Sequence, residues 1–203
     1  MIYSYDFTNM LVSTYQRAKD NNEYNGDSYI TIETDDYFVC AIADGLGSGK
    51  PAKESADAAI ESIKETHGQS VERMLEVANR SLYGKRGVVM SVFKIDFHTW
   101  ELSFSGIGNI CLILYLENGD VIRPITYSGY LSGKPQTFRV ERITIERPIF
   151  FLMYSDGFKV NLNNKEIFRR MDSPEYAVKF IKHRLVEHHD DVTYVIGKMK
   201  TRS

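Results

Sequence analysis

Tyr37-Phe38-Val39-Cys40-Ala41-Ile42-Ala43-Asp44-Gly45 is an unbroken apolar run that stops on an acid and a glycine. It is too short for a typical helix and too uniformly apolar for a strand with one wet face, so it predicts a strand covered on both sides. Upstream, residues 27–34 alternate between polar and apolar, and Asp35 and Asp36 supply the turn that makes the two segments a hairpin. Downstream the period changes: after Pro51, Ala52, Ala56, Ala59, Ile60 and Ile63 recur at the spacing of a helix lying on a sheet. Val71, Met74, Leu75, Ala78 and Leu82 form the stripe of a second helix, with Gly84 placed to stop it.

Beyond the helices, residues 88–97, 101–105, 110–116 and 121–126 read as successive strands of an antiparallel meander, with Asn118-Gly119 as a hairpin turn. A strand pair is expected at 138–145 and 149–155, then a polar and helical stretch that includes Ala177, Phe180, Ile181 and Leu185, and a closing strand at 192–196. Early helices, many antiparallel strands and a late helix predict an α+β sandwich in which two sheets pack together with helices outside. No repeat, linker or low-complexity tract divides the 203 residues, so residues 1–203 are expected to form a single domain.

The 25 basic residues nearly balance the 27 acidic ones, so overall charge suggests neither nucleic acid nor an anionic membrane as partner. Met1-Ile2-Tyr3-Ser4-Tyr5-Asp6 lacks the basic and apolar regions of a signal peptide, and no apolar run is long enough to cross a bilayer, so a cytoplasmic protein is expected. A monomer is expected as well. Cys40 and Cys111 sit in strand-like runs without zinc-ligand spacing and are expected as free thiols.

Acids recur at the ends of strands. Asp27 begins one, Asp44 and Asp156 end two others, and Asp190-Asp191 precedes the last. A carboxylate at a strand end is held on rigid backbone yet faces solvent, and several such ends on neighbouring strands converge on one cleft. Asp44 and Asp156 are each followed by a glycine, Gly45 and Gly157, expected to let the chain turn sharply beneath the carboxylate. Clustered aspartates without histidine or cysteine form an all-oxygen environment suited to magnesium or manganese. Two such ions sharing a carboxylate activate a water and neutralise phosphate oxygens, which is phosphomonoester hydrolysis without a protein nucleophile. Singly, each Asp-Gly is more simply a turn; what carries weight is their order along the chain.

In that order the residues resemble the metal-dependent protein phosphatases, the PPM family, and its compact bacterial branch acting on stress and sporulation regulators. The resemblance spans nearly the whole chain, through Asn25-Gly26-Asp27-Ser28, Ala43-Asp44-Gly45-Leu46-Gly47-Ser48-Gly49, Gly106-Ile107-Gly108-Asn109, Tyr154-Ser155-Asp156-Gly157 and Asp190-Asp191-Val192-Thr193. Ser128-Gly129-Tyr130-Leu131-Ser132-Gly133-Lys134-Pro135-Gln136 narrows it to the stressosome phosphatases of that branch. It implies a four-layer α-β-β-α sandwich and a phosphoserine/phosphothreonine phosphatase with two Mn²⁺ or Mg²⁺ ions. The implied substrates are phosphorylated stressosome scaffold proteins, and the implied role is negative regulation of the general stress response.

Residue by residue, the resemblance implies that Asp44 bridges both ions, the Gly45 carbonyl binds one, and Asp156 and Asp190 bind the other. Asp27 contacts metal-bound water, and Asp191 orients its neighbour. Two positions depart from larger relatives. Their phosphate-gripping arginine has no counterpart in Asp20-Asn21-Asn22-Glu23-Tyr24, with Arg17 and Lys19 out of register, and Leu46 stands where they carry a histidine. These departures support a second reading, a catalytically weak phosphatase-fold module that binds a phosphoprotein.

Other motifs read more plainly. Residues 45–50 do not form a phosphate loop, which needs glycine at Asp44 and Ser or Thr at Pro51, nor a dinucleotide fingerprint, whose last glycine would fall at Lys50. His183, His188 and His189 are expected as solvated surface, and residues 128–136 as a polar loop or a face toward the substrate protein.

Overall fold

The run at 37–45 forms a strand, β4 (Tyr37–Gly45), whose two faces are both buried, as its composition requires. Phe38, Cys40 and Ile42 point into a core between two sheets, while Val39, Ala41 and Ala43 point to the opposite side. Over that second side lie two helices, α1 (Lys50–Thr66) and α2 (Val71–Ser81), which bring Ala56, Ala59, Ile63, Met74 and Leu75 onto the sheet. The structure, a computed structural model, describes residues 1–19, 22–145, 148–186 and 190–201.

The β4 sheet also contains β3 (Asp27–Glu33), β5 (Val88–Asp96), β6 (Glu101–Ile107) and β9 (Glu141–Thr144), in the order β3-β4-β5-β6-β9. The facing sheet is built from β1 (Ile2–Asp6), β2 (Met10–Arg17), β7 (Cys111–Leu116), β8 (Val121–Ile122), β10 (Ile149–Tyr154) and β11 (Val192–Met199). Its order is β1-β2-β11-β10-β7-β8. On its outer side lie α3 (Asn164–Phe168) and α4 (Pro174–Lys182), where Ala177, Val178 and Ile181 cover Tyr194 and Ile196. Phe38, Phe93 and Phe151 meet at the centre between the sheets, with ring centroids 5.0–5.9 Å apart. This is the expected α+β sandwich of four layers. Among the described residues, the pairings between these strands are antiparallel.

Three expectations are corrected. The meander breaks after β6, because residues 107–110 cross to the other sheet: Gly108 takes φ +100° and the Ser91 hydroxyl donates to the Ile110 carbonyl at 2.8 Å on the way. The strand expected at 121–126 shrinks to β8, since Pro124 cannot donate to a ladder. Nor are β9 and β10 partners: β9 pairs with β6, whereas β10, buried along its length, takes a central place between β7 and β11.

β1 and β2 have no counterpart among the expectations, because polar residues occupy buried positions in β2 and blur its alternation. Ser13 pairs with Ser4 at 2.9 Å, and Thr14 donates to the Tyr29 hydroxyl at 2.8 Å across the sandwich. Both cysteines are free thiols, Cys40 buried and Cys111 half-buried. His183 is an exposed residue capping α4, while His188 and His189 lie outside the described residues. Among the described residues, no helix is long and apolar enough to cross a membrane.

Candidate active site

The acidic residues gather where the ends of both sheets meet. Asp27 opens β3 directly opposite Asp44, the penultimate residue of β4. Asp44 shares its pleat with Phe38, Cys40 and Ile42 and therefore faces the gap between the sheets. From the other sheet come Ser155 and Asp156, just past β10, and Asp190 and Asp191, just before β11. The Ser155 hydroxyl joins the two sheets: it donates to Asp27 Oδ2 at 2.8 Å and accepts the Thr193 amide at 3.0 Å.

Gly45 and Gly157 serve a different purpose from the sharp turn expected of them. Neither takes a positive φ. A side chain on Gly45 would overlap the backbone oxygen of Ala52 in the first turn of α1, and one on Gly157 would overlap the backbone oxygen of Asp191. The glycines are required by room: they let the helix close on β4 and the 190–191 segment close on the end of β10.

Asp191 is buried, and its carboxylate accepts two backbone amides, Lys19 at 2.7 Å on Oδ1 and Gly26 at 2.8 Å on Oδ2. It ties the segment leading into β3 to the start of β11. Asp190 is exposed, with Oδ1 accepting the Asp191 amide at 3.0 Å. Asp156 is likewise exposed and is steadied by Asn109, whose side-chain amide donates to Oδ2 at 2.9 Å. Asn109 and Ser155 lie within quoted motifs, yet their partners are 47 and 128 residues away along the chain, and no local pattern reports such a pairing.

Charge is poorly compensated here. Burial, then the fields of Asp27, Asp156, Asp190 and Asp191, push the Asp44 carboxyl up to about 8. Burial pushes Asp27 up to about 7, against the pull of the Thr193 and Ser155 hydroxyls and with help from Asp191 and Asp156. Asp156 is raised by burial and by Asp190. The nearest lysine on α1, Lys53, is committed elsewhere: Nζ bonds to the Asp27 carbonyl at 3.3 Å, Ser28 Oγ at 2.9 Å and Asp57 at 2.8 Å. Arg17 points away, since Gln16 takes the inner face, bonding to Thr193 Oγ1 at 3.1 Å, and Arg17 lies beside Tyr15 on the outer one.

These residues fit hard divalent cations. The side-chain donors around Asp44 are all oxygens, their mutual repulsion calls for positive charge, and Asp27 Oδ1 is buried with no hydrogen-bond partner. Among the described residues, no three His, Cys, Asp or Glu side chains stand close enough together to hold a metal ion as they are placed.

A pH dependence follows. Asp27 and Asp44 are raised above ordinary carboxylate values, so the metal-free fold holds protons that the unfolded chain releases from about pH 4 upward. Their contribution is fully present below that value and is lost as pH rises through about 7 to 8. Metal-free protein is expected to melt roughly 5 °C lower at pH 8 than at pH 5.5, with the slope reduced in Asp44→Asn. A scanning-fluorimetry melting point that rises with pH in the presence of EDTA contradicts this.

Residues 34–200 match the family described as Stage II sporulation protein E, SpoIIE. This chain belongs to the SpoIIE family. As a SpoIIE-family member it is a protein-serine/threonine phosphatase domain of the PP2C, or PPM, type, in agreement with the resemblance read from its motifs. It is 32% identical over 185 residues to phosphoserine phosphatase RsbX of Bacillus subtilis (strain 168), covering 91% of this chain and 92% of that one. The crystal structure of RsbX in complex with magnesium superposes with a TM-score of 0.91 at 31% identity, over 98% of this chain and all of the other. A structure described under the bacterial stressosome gives a TM-score of 0.84 at 23% identity, over 93% and 98% of the two chains. The catalytic domain of the phosphatase PstP with two manganese ions gives 0.75 at 14% identity, over 95% and 99%, a likeness of fold.

Proposed function

We propose that this SpoIIE-family chain is a cytoplasmic, monomeric phosphatase that removes phosphate from phosphoserine or phosphothreonine in the scaffold proteins of a stressosome, and so restrains the general stress response. Two Mn²⁺ or Mg²⁺ ions serve it. The likeness to phosphoserine phosphatase RsbX supports the substrate class, the stressosome structure supports the setting, and the magnesium and manganese complexes support the metals. The observation that carries the reading is the meeting of acid-bearing strand ends from both sheets: Asp27 lies opposite Asp44, and Ser155, next to Asp156, donates to Asp27 Oδ2 at 2.8 Å.

In this reading Asp44, the Gly45 carbonyl, Asp156 and Asp190 would hold the ions, with Asp44 shared between them. When bound, the ions supply Lewis acidity toward phosphoryl oxygens and a nucleophilic water. The protein's part is positioning. Asn109 holds Asp156 in place, Asp191 spends both oxygens on the Lys19 and Gly26 amides to fix the loop, and Asp27 keeps Oδ1 free to orient a water. Leu46, 37% exposed, offers no proton to a leaving group, so that proton comes from water or from another group.

A module that only binds phosphoprotein is opposed by the price of crowding so many carboxylates together without an ion. The purified protein is expected to release phosphate from a phosphoserine peptide with Mn²⁺ and to stop in EDTA. Undiminished release in EDTA, or none with either ion, overturns the reading.

A further inference from the structure

Three exposed large hydrophobic residues stand together beside the acidic centre: Leu46, directly after Gly45, and Tyr130 both flank Gly87, and Tyr83 packs on Gly133 of the same loop as Tyr130. Tyr83 is 85% and Tyr130 51% exposed, yet both stand on firmly held backbone. The Asn79 side chain on α2, itself 4% exposed, accepts the amides of Ser132 and Gly133 at 3.1 and 3.0 Å and donates to the Lys134 carbonyl at 2.7 Å. Val88 and Leu131 exchange backbone bonds of 3.0 and 2.8 Å. Gly133, at φ +81°, packs so closely that a Cβ would lie 2.7 Å from Tyr83 Cα. A buried asparagine devoted to a surface loop keeps that loop in one shape, and aromatic residues presented on fixed backbone are typical of binding hot spots.

Cations also stand here: Arg80, Lys85 and Arg86 follow or end α2 and Lys134 lies in the loop that Asn79 holds, with Glu76 beside Gly133 and Glu141 accepting the Ile125 amide at 3.1 Å as the neighbouring acids. Among the described residues, none of Lys85, Arg86 and Lys134 is within ion-pair distance of a carboxylate. Arg86 rests over Gly47 with only two long bonds, at 3.5 Å, to the Leu46 and Ser48 carbonyls. The patch runs up to the active site: Leu46 directly follows Gly45, its amide donates to Gly87 at 2.8 Å, and Leu46 and Tyr130 flank Gly87 at 2.9 and 2.5 Å from where its Cβ would stand.

We propose that Leu46, Tyr83, Lys85, Arg86, Tyr130 and Lys134 form the docking surface for the substrate protein and receive an acidic segment flanking the phosphorylated serine. Charge complementarity selects that occupant: the acidic centre itself repels carboxylates until its ions are bound, whereas this rim attracts them at all times. Tyrosine faces supply contact area at low entropic cost, and the unpaired cations supply selectivity and salt dependence. The identity of the occupant as a phosphoprotein rests on the phosphatase reading above.

The test uses Mn²⁺-loaded protein and two fluorescent peptides carrying a non-hydrolysable phosphonate in place of phosphoserine, one flanked by Asp and Glu, the other by Lys. Anisotropy is expected to show the acidic peptide binding about tenfold more tightly, a preference lost in Lys85→Glu/Lys134→Glu and in high salt. Tyr130→Ala is expected to raise KM for an acidic phosphoserine peptide several-fold while leaving an aryl phosphate unchanged. Equal binding of both peptides by the wild type, or loss on the aryl phosphate as large as on the peptide, overturns the docking surface. A wild type that hydrolyses neither substrate sinks the phosphatase reading instead, and the anisotropy still decides the surface.

Discussion

Asp44→Asn is expected to lower manganese-dependent hydrolysis of a phosphoserine peptide by about 10³-fold or more, with the fold intact and its melting point at pH 8 raised by roughly 3 °C. The two effects have one cause. Asp44 is half-buried among Asp27, Asp156, Asp190 and Asp191, and its carboxyl is pushed up to about 8. A neutral amide removes that repulsion and with it the carboxylate proposed to hold the cations. A residue kept only for structure would give the opposite pairing, a lower melting point and a proportionate loss of activity. Steady-state kinetics beside a melting curve separates these outcomes, and full activity in Asp44→Asn contradicts the account.

Gly157→Ala is expected to destabilise the protein by roughly 3 kcal/mol, a fall in melting point of about 6–12 °C. The added methyl would overlap the Asp191 backbone oxygen, with the carbonyl carbon only 3.0 Å away, and backbone cannot rotate aside as a side chain can. Because Asp191 also holds the Lys19 and Gly26 amides, the displacement spreads to the segment leading into β3 and weakens metal binding as well. Gly119→Ala is the control: nothing stands within 4 Å of its Cβ, and only its φ of +89° opposes alanine, a cost of about 1 kcal/mol. Equal melting points for the two variants contradict the packing argument.

The sandwich was legible where local patterns suffice. The all-apolar run of β4, the alternation of β3 and the helical stripes of α1 and α2 each specify an element and its buried face. β2 was not, because Ser13 and Thr14 lie buried where an apolar residue would mark the period. The crossing at residues 107–110 was also hidden, since strand patterns say which face is apolar but not which sheet receives the strand. At the site, the aspartates stand at strand ends as their sequence context implies, and Asp27 and Asp44 become neighbours through the hairpin register. What holds them was not legible: the Ser155 bridge, the Asn109 bond to Asp156 and the clamp of Asp191 all join residues far apart in the chain. Gly45 and Gly157 teach the same lesson, since a glycine that provides room and a glycine that turns are written with the same letter.

Carboxylates from both sheets are proposed to hold a pair of hard cations jointly. Titration calorimetry of the metal-free protein with Mn²⁺ at pH 7 tests this proposal most directly. Two ions per chain are predicted, with protons released as Asp27 and Asp44 lose them, and with the Asp44→Asn variant losing both the stoichiometry and the proton release. Absence of binding at millimolar Mn²⁺, or an Asp44→Asn titration indistinguishable from that of the wild type, would contradict it.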